Sequence, residues 1–131
     1  MNATDELRTR IDTIERGYEY LLAYAAQGRQ NDTGSEVRET LGRMFTALDG
    51  LSELLISRLS AFSDKVTHDA AGFLEAIESD ARTARGAIGL VLNCPAISSL
   101  LVDNLNASIH LRALLTDLFL AEQALRSAAS A

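Results

Sequence analysis

Residues 86–102 read GAIGLVLNCPAISSLLV, seventeen positions without a charge in a chain of which 23% is charged. They contain the only proline, Pro95, and the only cysteine, Cys94. A helix that crosses a bilayer needs about 20 consecutive apolar residues. Here Pro95 sits at the middle, where its missing N–H and its ring break a helix, and Asn93 and Ser98-Ser99 add polarity. The stretch reads instead as a joint: one helix ends at Asn93-Cys94, and the next starts with Pro95 in its first position, where proline is favoured. Such a turn is normally polar, so an apolar one is expected to be buried, either under loops of its own chain or under a second copy. Reading the segment as a joint makes the chain a series of antiparallel helices.

Working outward, the helix after the joint shows apolar seam positions at Ile97, Leu100, Ala107, Leu111, Leu114, Leu118, Ala121 and Leu125, with Asn104 in the same series. Leu101, Leu105, Leu115 and Phe119 widen this face. The helix before the joint uses Val66, Ala70, Phe73, Ile77, Ala84, Ile88 and Val91, and its small residues (Ala81, Ala84, Ala87, Gly89) allow a neighbour to approach closely. Val37, Leu41, Met44, Leu48, Leu51 and Leu55 form an earlier seam that passes through Asp49-Gly50 without a missed step, so the glycine reads as tolerated inside one helix. Leu7, Ile11, Ile14, Tyr18, Leu21 and Ala25 form the first. The alternating three- and four-residue step is the mark of amphipathic helices packed at shallow angles.

Caps place the ends. Thr4 with Asp5 and Glu6 opens the first helix and Gly28 closes it. Residues 28–34, GRQNDTG, form a loop. Thr33 and Glu36 have the spacing of a capping box. Serines at 57, 60 and 63 mark a turn near 60–64, since an unbroken helix from 34 to 92 would run roughly 90 Å. The expectation is one all-α domain over 1–131, an up-down-up-down four-helix bundle with helices at about 4–27, 34–60, 63–92 and 95–128.

The bulk numbers agree with this. Of 131 residues 47% are hydrophobic and only 5% aromatic, with one proline and eight glycines. That suits a helical core of Leu, Ile, Val and Ala more than a β domain. The formal net charge is −6, and no basic stripe exists to neutralise phosphates, which argues against nucleic acid as a partner. A lone cysteine forms no internal disulfide. With a polar N-terminus and no spanning segment, the expected location is cytoplasmic.

Few constellations carry chemistry. A di-metal carboxylate bundle needs Glu-x-x-His on two helices, but Lys65 stands three residues before His68 and Ala107 three before His110. The acidic pairs Glu36/Glu39 and Glu75/Glu78 read as solvated faces. Haem attachment through Cys-x-x-Cys-His has no match, so neither a cofactor nor a metal is expected. Residues 66–77, VTHDAAGFLEAI, resemble the phosphoacceptor box of histidine kinases and histidine phosphotransfer domains. That likeness implies phosphorylation of His68, with Asp69 keeping the imidazole nucleophilic and the small Gly72 clearing space beside the ring. Ala71 and Gly72 depart from the kinase pattern, and the lysine of the phosphotransfer motif is missing. Asn104 is expected to fix register across an interface or, with His110, to face a small ligand or metal inside the bundle. Tyr18 lies on the first seam, while Tyr20 and Tyr24 stand one turn apart on another face and suit a partner surface or ordinary packing. Cys94, near a helix start, is either a reactive thiol or a small buried residue.

The function expected from sequence is non-catalytic protein–protein interaction by a self-associating homodimer with a further protein partner. Cys94, Pro95, Ile97, Leu101 and Leu105 are the candidate interface. Phosphotransfer through His68 and interior ligand binding near Asn104 and His110 are the alternatives.

Overall fold

A computed structural model describes residues 3–129, and side chains from Glu6 onward. The capping expected of Thr4 and Asp5 therefore lies outside the described residues. The chain is all-α, with no strand among the described residues. Its helical segments are α1 (Ala3–Ala25), α2 (Val37–Leu48), α3 (Leu51–Ser60), α4 (Asp64–Asp69), α5 (Ala71–Leu92), α6 (Ser99–Ser108) and α7 (Leu111–Ala129). At Ala70, between α4 and α5, the backbone leaves helical geometry (φ −95°, ψ 11°), though Ala70 N–H still donates to Val66 O at 3.0 Å and Leu74 N–H to Ala70 O at 2.9 Å. Taken together as one rod bent at Ala70, they leave six helices among the described residues. No helix among the described residues is long and apolar enough to cross a membrane.

Four sequence expectations are corrected. Gly50 is not tolerated inside a helix; it ends one. Its φ of 69° is left-handed and Asp49 before it is extended, a conformation that costs any residue with a Cβ. The buried positions of α2 and α3 nevertheless keep one phase across the break (Leu41, Met44, Leu48, Leu51, Leu55), which hides it from a periodicity reading. The capping box also does not form. Glu36 precedes α2 without a side-chain cap, while Ser35 Oγ accepts the Val37 N–H at 3.4 Å.

The last helix starts at Ser99, not Pro95. Ser98 is its N-cap, its hydroxyl accepting the Leu101 N–H at 3.0 Å, and a serine hydroxyl satisfies an orphan donor that proline cannot. The same helix is not continuous. Ile109 is extended (φ −118°, ψ 155°) and turns its side chain into the core. The buried series before that break is Ser99, Val102, Leu105 and Ile109, so Leu100, Asn104 and Ala107, expected inside, lie outside.

The turn between α3 and α4 falls at Ala61–Ser63, where Ser63 caps α4 by accepting the Lys65 N–H at 3.2 Å. In the packing, α1 lies against α2, α6 and α7, and α5 against α2, α3, α6 and α7. Small residues set the closest approaches. Gly17 faces Met44, whose Sδ and Cγ would collide with a methyl there, and Gly89 sits under the ring of Phe45. Arg85 covers that ring from outside, 3.8 Å from its centroid.

Candidate functional site

The chain's own loop closes the uncharged joint. From Asn93 to Ser98 the backbone leaves helical geometry and brings Ile97 inward, where it is fully buried. Burying such a side chain contributes about 1.5–3 kcal/mol, but it also buries the Ile97 peptide, whose polar groups then need partners. The loop after α1 supplies them. Asp32 accepts the Ile97 N–H at 2.9 Å through Oδ1 and the Arg38 Nε–H at 3.1 Å through Oδ2. The other arms of the Arg38 guanidinium donate to Leu92 O at 2.9 Å and Cys94 O at 3.1 Å, two carbonyls left open by the end of α5. Tyr24, fully buried, donates its hydroxyl to Ile97 O at 2.6 Å.

Ser99 completes the clasp. Its N–H donates to Arg29 O at 2.9 Å, its Oγ accepts the Arg29 N–H at 2.9 Å, and its hydroxyl donates to Tyr24 O at 2.7 Å. Tyr20 stacks on Tyr24 with centroids 6.2 Å apart and accepts the Glu36 N–H at 3.1 Å. The tyrosine pair, read as a partner surface or as ordinary packing, therefore holds the 26–36 loop over the joint. Asp32 is kept below the ordinary carboxyl value of 3.8 by the hydrogen bond from the Ile97 N–H and then by Arg38. Sequence reasoning passed over Asp32 and Arg38. Their partners lie some sixty positions away, and GRQNDTG read as loop carries no sign of them.

The five interface candidates separate. Ile97 and Leu105 lie in the chain's own core, Leu101 and Cys94 are half-buried, and Pro95 is exposed. Cys94 Sγ rests 3.6 Å from Leu90 O. Leu90 on the last turns of α5 is 73% exposed, Leu100 on the first turn of α6 is 68% exposed, and Asn93, Pro95 and Ala96 are exposed between them in sequence.

The remaining candidates are not brought together. His68 is exposed on α4, and the carboxylate of Asp69 beside it is held by Lys65 at 3.0 Å. Asn104 and His110 are both exposed, on either side of the break before α7, and neither faces the interior. Among the described residues no three His, Cys, Asp or Glu side chains stand close enough to share a metal ion. At the opposite end, α1, the turn after α3, and α7 border an open cleft of about 200 Å³. Leu7, Arg58, Ala61, Phe62, Glu122, Leu125, Arg126 and Ala129 line it.

No protein family, curated protein or solved structure matches this chain.

Proposed function

We propose that this protein acts without catalysis of its own, by protein–protein association, and that it self-associates as a homodimer through the outer face of the 93–98 joint before engaging a further partner. One observation carries the reading. After the chain has closed Ile97 under its own loop, Leu90, Pro95, Ala96 and Leu100, all within eleven positions of sequence, are still exposed. Large exposed apolar side chains gathered in one short stretch point to an interaction site more than leucines scattered singly over a surface do. The clasp beneath it supplies rigidity, which lowers the ordering cost of association.

The architecture we assign is an up-down-up-down four-helix bundle whose rods are α1, α2 with α3, α4 with α5, and α6 with α7. Its support is the neighbour pattern, α1 beside α2 and α6–α7, and α5 beside α2–α3 and α6–α7. A cytoplasmic setting accords with an acidic chain that carries a single cysteine.

Light-scattering chromatography tests the association. The unmodified chain is expected to elute as a dimer and a Leu90→Asp/Leu100→Asp variant as a monomer with unchanged helical circular dichroism. Both side chains are exposed, so the variant removes apolar surface without opening the core. An unmodified chain that stays monomeric at every concentration overturns the proposal.

A further inference from the structure

The two exposed leucines of the association face stand on different helices, Leu90 on α5 and Leu100 on α6. Between these helices runs the joint, 93–98, none of which is helical. How the leucines sit relative to each other is therefore decided by whatever fixes the joint. A helix end leaves its last carbonyls without intrahelical donors, and at the end of α5 one side chain from elsewhere supplies them. Arg38 donates through Nη1 to Leu92 O at 2.9 Å and through Nη2 to Cys94 O at 3.1 Å. Its Nε donates to Asp32 Oδ2 at 3.1 Å, and Asp32 Oδ1 accepts the Ile97 N–H at 2.9 Å.

One guanidinium thus serves three acceptors, and through Asp32 its hold reaches both sides of the joint. Leu92 and Cys94 lie on the α5 side and Ile97 on the α6 side. The anchor is firm, because Arg38 is the second residue of α2, which lies against both α1 and α5. None of these contacts uses a side-chain atom of Leu90, Pro95, Ala96 or Leu100. A planar fork of donors suits such bridging, whereas the ammonium of lysine is a compact point charge on a flexible stem.

We infer that Arg38 is a positioning residue for the association face: by bridging Leu92 O, Cys94 O and Asp32 it sets Leu90 against Leu100. Its loss therefore weakens the dimer without removing any of the exposed apolar side chains. The inference rests on the self-association proposed above. Sedimentation velocity over a concentration series compares the full chain with Arg38→Met, Arg38→Lys and Gly50→Ala, at a temperature where circular dichroism shows each chain folded. Arg38→Met is expected to weaken the dimer about tenfold, the scale of one charge-assisted hydrogen bond, and Arg38→Lys to weaken it similarly. Gly50→Ala, at the other end of α2, is expected to leave it unchanged, which separates a local hold from a general loss of stability. A second readout needs no dimer. In the Leu90→Asp/Leu100→Asp chain, adding Arg38→Met is expected to speed alkylation of the half-buried Cys94 by iodoacetamide about fivefold, because the joint opens more often. A full chain that is monomeric at every concentration overturns the self-association, and shows it without any variant. A dimer as tight in either Arg38 variant as in the full chain overturns the role of Arg38 alone, and so does an unchanged rate of Cys94 alkylation. Arg38→Lys keeps the charge and a long stem, so it carries the comparison if Arg38→Met fails to fold.

Discussion

Asp32 ties together two connections that are 65 positions apart, and it does so as an anion. Its oxygens take the Ile97 N–H and the Arg38 guanidinium, and these hold its carboxyl below the ordinary value of 3.8. A carboxyl that titrates lower in the folded than in the unfolded chain contributes its full stability above the unfolded value. The contribution disappears as pH falls through the folded one. Asp32→Asn keeps an acceptor for Ile97 but gives up the charge that Arg38 answers. The variant is therefore expected to melt below the parent chain at neutral pH, with the gap closing below about pH 4. Thermal melts at neutral pH and at about pH 3 measure both halves. Equal melting temperatures at neutral pH would show that the ion pair does not hold the clasp. None of this was legible at residue scale, because a hydrogen bond from Asp32 to a backbone amide at Ile97 leaves no trace in the periodicity of either segment.

The seams were legible at the scale of elements, and the breaks were not. Leu7, Ile11, Ile14 and Leu21 are buried as the first seam requires, and so are Ile77, Ala84, Ile88 and Val91 in the third. A three–four alternation reports which side of a helix faces the core. It stays silent on a break that preserves the phase, as Gly50 does, and it misassigns residues before a break that shifts the phase, as Ile109 does. Asn104 was misplaced for that reason, since its seam position exists only if the helix runs straight on to Leu111. Gly50→Ala separates the two readings by sign. Inside a continuous helix the change would gain about 1 kcal/mol. At φ 69° it is expected to cost about 1–2 kcal/mol, even though an added Cβ there meets nothing closer than Glu53 Oε2 at 3.8 Å. Urea unfolding of the two chains reads the sign directly, and a more stable variant would mean that the α2–α3 break is not required.

Over the whole molecule, order is unevenly supported, and the unevenness follows from burial. The joint end is fastened by Tyr24, Asp32, Arg38 and Ser99 as well as by apolar packing. α1 and α5 each present a run of fully buried side chains, among them Ile14, Leu21, Ile77 and Ile88. α4 differs from both. It buries none of its six residues, and its Lys65–Asp69 pair is exposed, so little beyond the Ser63 cap and the two hydrogen bonds of Ala70 keeps it helical. An exposed pair four residues apart is worth only about 0.3–0.5 kcal/mol. Segments with few buried contacts open locally at a small free energy, whereas core helices exchange through transitions that approach global unfolding. Native-state hydrogen exchange is therefore expected to show the amides of α4 opening independently of denaturant, while the amides of α1 from Ile11 to Tyr24 and of α5 from Leu74 to Val91 converge on the global value. The bent rod of α4 and α5 should thus split at Ala70 into a labile and a protected part, although hydrogen bonds of Ala70 join the two. Equal protection along the whole rod would mean that burial does not set its stability.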